Sequence, residues 1–203
     1  MTIREPRLST VAIAALRPTQ QTVGMREVRE KRRHWRRVEN PGAFLGSHLI
    51  PVIHGYKERF YLIDHHHLAR ALHDEGVAEI AITVVADLRR LDKRAFWTFL
   101  DNRGWLHPYD ADGRRRDWAE LPRRVADLAD DPYRSLAGEL RRAGGFAKDT
   151  TPFSEFLWAD FLRRRIPRKR VETRFASALT EAGKLARSEA ANYLPGWCGP
   201  VPR

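Results

Sequence analysis

Cysteine is nearly absent from this 203-residue chain: the single thiol, Cys198, sits in the tail "LPGWCGPVPR". One cysteine cannot form an intrachain disulfide, so a reducing, cytoplasmic setting is expected. A lone Cys among Pro and Gly reads as incidental rather than as a nucleophile. Long apolar runs are missing too. Nothing approaches the roughly 20 residues that span a bilayer. The N-terminal run Val11–Leu16, closed at once by Arg17-Pro18, is too short for a signal-peptide core. Internal repeats and low-complexity linkers are absent. Acidic residues are in deficit, with 26 Asp and Glu against 37 Lys and Arg, a formal net charge of +11. That balance points to polyanionic partners: nucleic acid, nucleotides or an anionic membrane surface.

What is present suffices for a core: 42% of residues are hydrophobic and six are Trp. Residues 8–16 read as a strand with a turn. Met25–Arg37 has a helical pattern, and "NPGAFLGSH" has the Asn-Pro-Gly chemistry of a loop. "LIPVIHG" (49–55) and "RFYLID" (59–64) are β-rich and predict paired strands. "HHLARALHDEG" predicts a helix stopped near Gly76. "AEIAITVVADL" (78–88) is a continuous Ile/Val run that predicts a strand buried on both faces. Helices dominate afterwards. Asp92 is the expected N-cap of a helix that packs Phe96, Phe99 and Leu100. "DWAELPRRVADLAD" follows in this helical half, with Pro122 inside it as a break or a helix start. Asp131 with Pro132, and Thr151 with Pro152, serve as N-cap and first helical residue of two more helices. Phe153, Phe156, Leu157 and Phe161 supply a core stripe. A last amphipathic helix starts near Arg168. The fold class expected is α+β, a small mixed β-sheet with helices over 1–91 followed by an α-helical extension over 92–203.

The order strand–"DHHH"–helix carries the chemistry. A helix's first turn exposes unpaired N–H groups and the positive end of its dipole, which makes an anion site. Asp64 is the expected N-cap. His65, His66 and His67 occupy the first turn, where they donate to phosphate if protonated or accept a proton if neutral. Successive helical residues diverge by about 100°, so the three cannot share one ion. His66, Arg70 and His73 fall on one face, which favours His66 and Arg70 as a pocket pair, with His67 the close alternative. A metal site would need further ligands from His48, His54 or Asp64 and lacks the i, i+4 spacing of helical zinc sites. No metal ligand is therefore assigned. Alternatively, the histidines simply cap and solvate a helix.

Two basic runs are candidates for a phosphate backbone. "REVREKRRHWRR" (26–37) has seven Arg or Lys against two Glu, with Arg32, Arg33 and a Trp35 able to stack on bases. Arg163, Arg164, Arg168, Lys169 and Arg170 form the second, with "RRR" at 114–116 close in character. "DNRGWLHPYDADG" (101–113) reads as a turn-rich connection, or as an active-site lid using Asp101, Arg103, His107, Asp110 and Asp112. Any Mg²⁺ would draw on Asp64, Glu27 or Asp101–Asp112.

Three stretches carry a family resemblance. "LRPTQ" (16–20) looks like an early Leu-x-Pro…Gln box, "IPVI" with "RFYLID" like a central strand pair, and "DHHHLARAL" like a phosphate-binding turn. Together with "DDPYRSLAGELRRAGGFAKDTTPFSEFLWADF" (130–161), they resemble the ParB/sulfiredoxin superfamily, in its ParB-like nuclease branch. In that pattern Asp64 matches, His65 replaces the usual Gly, and Leu68 stands where many members have Arg. The thiol of sulfiredoxin is absent from the turn, which argues against sulfinic-acid reduction. The resemblance implies phosphate recognition by His65, His66, His67, Arg70 and Gln20, with Asp64, His66 and His67 the candidate catalytic residues of a nuclease. It also implies two alternatives: nucleotide-dependent phosphoryl transfer to a small molecule, or nucleic-acid binding without catalysis. Cofactor candidates are a nucleotide and Mg²⁺. A homodimer is one candidate assembly.

Overall fold

A computed structural model describes residues 9–200; Leu8, expected in the first strand, and residues 201–203 lie outside the described residues. The strands are β1 (Ser9–Ala12), β2 (Arg17–Pro18), β3 (Thr22–Val23), β4 (Ile50–Gly55), β5 (Arg59–Leu62), β6 (Glu79–Asp87) and β7 (Ala129–Asp130). The helices are α1 (Met25–Trp35), α2 (Pro41–Ser47), α3 (His66–Asp74), α4 (Lys93–Asn102), α5 (Pro132–Arg142), α6 (Ser154–Arg163), α7 (Arg168–Thr173) and α8 (Phe175–Ala186). The class is α+β, as the sequence implied. The described residues form two compact units: residues 9–22, 28–110 and 114–129 form one, and residues 23–27, 111–113 and 130–200 the other.

The first unit is built on a mixed five-stranded sheet in the order β1-β6-β4-β5-β2. β4 lies parallel to β6 and antiparallel to β5, and β2 adds parallel to β5 through Arg17↔Tyr61 and Pro18↔Leu62. A register shift between Val52 and Ile53 leaves Val85 of β6 without a partner on β4, and Val52 and Ile53 are both buried. One sheet face meets α4 through an aromatic cluster in which Tyr61 and Phe96 lie 4.6 Å apart and Phe96 and Trp97 5.1 Å. Gly55 is part of this packing. A Cβ there would stand 2.3 Å from Phe96 Cε2 and 2.6 Å from its Cζ. Phe96 is fully buried and has no room to retreat. Gly55→Ala is therefore expected to cost about 1–3 kcal/mol by overpacking, measured by urea unfolding; an unchanged midpoint would contradict the packing.

In the second unit α5, α6, α7 and α8 enclose Leu136, Leu140, Trp158, Phe161, Leu162 and Ala182. Trp158 stacks on Phe146 at 4.3 Å, and its indole N–H donates to the Pro195 carbonyl at 2.8 Å.

Several expectations are corrected. β6 is not buried on both faces: Ile80 and Ile82 are, whereas Val85 is 49% exposed. "NPGAFLGS" is a helix rather than a loop, because Asn40 Oδ1 accepts the Ala43 N–H and Pro41 fits its first turn. Phe99 and Leu157 face outward, and Trp158 takes the core position. "DWAELPRRVADLAD" forms two 3₁₀ turns and β7, not a helix. α6 starts after Phe153, which is left-handed at φ 60°, rather than after Thr151. The last helix breaks at Arg174 into α7 and α8.

Candidate functional site

The segment from Leu62 to Arg70 joins β5 to α3. His65 precedes the helix in the left-handed region, φ 62° and ψ 25°. That conformation costs an L residue on the order of 1–3 kcal/mol, which accounts for the glycine usual there in the resembled pattern. His65→Gly is expected to leave stability unchanged or raise it by up to about 1 kcal/mol, whereas the β-branched His65→Val should lower it. Thermal melting checks both, and a marked loss in the Gly variant would contradict this reading.

The expected N-cap, Asp64, is corrected. The cap position is His65, and α3 has no side-chain cap. Asp64 Oδ1 accepts the His65 N–H at 2.6 Å instead, one residue ahead of the helix's first-turn donors. Those donors lie beside the exposed His65 and the half-buried His67.

His66 turns the other way. It is 4% exposed, and its Nε2 accepts the Thr19 N–H at 3.3 Å. An accepting Nε2 carries no proton, which assigns the neutral Nδ1–H tautomer. The Thr19 hydroxyl donates to the Leu62 carbonyl at 2.8 Å, and the His107 N–H donates to the Thr19 carbonyl at 2.8 Å. Gln20 is buried as well, its amide donating to the Thr22 carbonyl at 2.7 Å. The Leu-x-Pro…Gln box, the β5–α3 turn and the loop at His107 thus meet in one buried polar cluster. Sequence reasoning found Gln20 and His66 but not Thr19 or Thr22. The usable signal was the Thr-Gln pair directly after Pro18, meaningful only once β2 pairs with β5.

The His66–Arg70 pair expected from helical spacing is not assembled. Arg70 Nε donates to Asp74 Oδ1 at 2.9 Å and its Nη1 to the Leu128 carbonyl at 2.8 Å. These bonds draw the guanidinium toward the far end of α3. His66, Leu68, Ala69, Ala71 and Leu72 are all buried, so His66 does not lie on a solvent face opposite the leucines.

Among the described residues, no three His, Cys, Asp or Glu side chains converge as a metal site. His48 stacks on Phe44 at 4.0 Å, and His54 on Phe60 at 4.5 Å. The carboxylates suggested for Mg²⁺ have separate local partners: Asp101 pairs with Arg115, Asp110 accepts the Arg114 N–H, and Asp112 pairs with Arg168. The one carboxylate at the turn, Asp64, is engaged by the His65 N–H. This donor set does not fit a divalent ion.

Much of the two basic runs is neutralised locally. Arg32 and Arg36 both grip Glu75, whose carboxyl is held down to about 2 by Arg36 first and Arg32 second. Trp35 packs edge-on against Phe44, and Arg33 is exposed. Arg163 donates to Asp131 at 2.6 Å and to Asp160 at 3.0 Å in a largely buried cluster. It is thus an internal partner rather than a surface cation. Arg164 pairs with Asp160, Arg168 with Glu172 and Asp112, and Arg170 with Glu181. Lys169 is exposed.

Comparison with known proteins adds three findings. The family described as "Putative ParB-like nuclease" matches residues 9–164. The crystal structure of protein Atu1540 from Agrobacterium tumefaciens is 54% identical, covers 97% of this chain and 100% of that one, and superposes with a TM-score of 0.92. No curated protein matches. Among the described residues no helix is long and apolar enough to cross a membrane.

Proposed function

The chain belongs to this ParB-like nuclease family, and from that premise we propose that it binds a phosphate group of nucleic acid at the start of α3 and cleaves the phosphodiester there. One observation carries the reading: α3 begins on a left-handed His65 with no side-chain cap, and a helix start of this kind offers the positive end of its dipole to an anion. His65 and His67 flank that position. His67 is the general base. It takes a proton from the attacking water as the new P–O bond forms and the ester P–O bond breaks. The leaving oxygen takes its proton from solvent. The first-turn N–H groups hold the charge that grows on the non-bridging oxygens.

The remaining residues of the turn act as positioning residues in this proposal. His66 locks the box to the turn through Thr19, Gln20 braces the box through the Thr22 carbonyl, Asp64 holds His65, and Arg70 ties α3 to Leu128. Arg33 and Lys169 are the proposed backbone contacts of the basic runs.

The test is incubation with single- and double-stranded DNA and RNA, with and without Mg²⁺. Cleavage that depends on His67 is the expected outcome. Thermal stabilisation by ATP or CTP without cutting would point to phosphoryl transfer instead. Salt-sensitive binding with neither would leave a non-catalytic nucleic-acid binder.

A further inference from the structure

Many arginines of this protein pair with its own carboxylates, but one cleft in the first unit has cations with none opposite. It encloses about 360 Å³, at the lower end of the roughly 300–1,000 Å³ range of small-molecule sites. Arg17, Lys57, Arg59, Lys93 and Arg123 line it, and no Asp or Glu does. The nearest carboxylates in sequence are turned elsewhere. Glu58 pairs with Arg89 at 3.0 Å and His54 at 3.5 Å, and Glu120 pairs with Arg116 at 3.2 Å. Among the described residues none of the five cations has a carboxylate partner.

The aromatic side of the cleft comes from Tyr56, Tyr61, Trp97 and Trp118. Trp97 and Trp118 are stacked, 5.7 Å apart and 13° from parallel, and Lys93 Nζ lies 4.3 Å over the Trp118 ring. At the β4–β5 connection both Lys57 and Glu58 are held at positive φ, 59° and 54°. Two successive L residues there store strain, an arrangement found disproportionately at ligand-binding segments.

Arg17 shows what the cleft lacks. Its Nη1 donates to the Arg123 carbonyl, while its Nε is buried with no hydrogen-bond partner among the described residues. Burial first, then the charges of Arg59 and Arg123, push its pKa down. A buried donor without an acceptor and a crowd of like charges are both relieved by a bound anion.

We propose that this cleft is a second binding site, taking a nucleotide: its phosphate against Arg17, Arg59 and Lys57, its base against the Tyr56 and Trp118 rings. The ligand is either a free nucleotide or the 5′-phosphorylated end of a single strand, which present the same chemistry. Base–aromatic stacking contributes about 1–3 kcal/mol per base in such sites. The cleft and the helix-end site share no residue: Arg17 and Pro18 of β2 line the cleft, whereas Thr19, just after β2, meets His66. The proposal therefore does not rest on the nuclease reading.

Titration calorimetry of the full chain with AMP, adenosine, inorganic phosphate and 5′-phosphorylated dT₄ tests it. AMP or the oligonucleotide should bind at least about 10-fold more tightly than adenosine or phosphate, and the tighter of the two identifies the source. The double variant Lys57→Glu, Arg59→Glu, both sites exposed, should weaken that binding at least about 10-fold with an unchanged melting temperature. Trp118→Ala should weaken AMP but not phosphate. Equal affinity for phosphate and AMP, or binding that survives the double variant, would overturn the proposal. So would AMP binding that is lost in His67→Ala while surviving the double variant, since it would then belong to the helix end.

Discussion

Replacing His67 with alanine is expected to lower phosphodiester cleavage about 10²–10⁴-fold, the usual contribution of a positioned general base, with little change in melting temperature. The expectation follows from the division of labour among the three histidines. His65 carries the left-handed backbone. His66 is buried with Nε2 taken by the Thr19 N–H, so that nitrogen is unavailable to a substrate proton. His67, half-buried at the uncapped helix end, is the one placed to act. The contrast with His66 makes this decisive. His66→Ala leaves the Thr19 N–H buried without an acceptor, a cost of about 1–3 kcal/mol, so lost cutting in that variant would say nothing about catalysis. His66→Gln restores an acceptor and should recover both stability and cutting. His67→Gln should stay as stable as wild type and leave the cutting lost. Cleavage within 10-fold of wild type in His67→Ala, or rescue by His67→Gln, would remove His67 from the mechanism.

Asp131→Ala is expected to destabilise the protein by about 3–5 kcal/mol, the range for removing one partner of a buried ion pair. Asp131 is 1% exposed. Its Oδ2 accepts Arg163 at 2.6 Å, and its Oδ1 caps α5 through the Tyr133 N–H at 2.9 Å. Alanine removes the cap and leaves Arg163, itself 15% exposed, with Asp160 alone. Burial, the largest influence on this carboxyl, raises its pKa above the usual carboxylate range, opposed mainly by the charge of Arg163. The native state therefore holds the proton to higher pH than the unfolded chain. Asp131's contribution is greatest below the unfolded value and declines as pH rises through the folded one. Asp131→Asn keeps a capping oxygen and should flatten that limb. Urea unfolding followed by tryptophan fluorescence measures both effects. A loss below 1 kcal/mol in the alanine variant would mean that Arg163 finds other partners.

The strand–turn–helix at 59–74 and the Asp92 and Asp131 caps were readable because each is local: apolar runs, Asp before a helix, Pro at its first turn. Errors arose where local chemistry had two outcomes. Asn-Pro-Gly is both a turn signal and the start of α2. Asp64 is a good cap residue, yet the cap position falls one residue later because His65 turns left-handed. Helical spacing put His66 and Arg70 on one face, but spacing carries no information on which face a neighbour covers.

By itself, the sequence determined the α+β class, the excess of positive charge, the lack of an intrachain disulfide and the helix start after β5. Only the tertiary structure decided which histidine is buried, because His66 becomes an acceptor only when β2 brings Thr19 alongside it. It also decided which cations remain available. Arginines dense in sequence, such as Arg163 and Arg170, are matched by carboxylates distant along the chain, whereas Arg17, Lys57, Arg59, Lys93 and Arg123 come together from four separate places with none opposite. Net charge is a sum over residues, but charge free to meet a ligand depends on which partners the fold brings within a few ångströms.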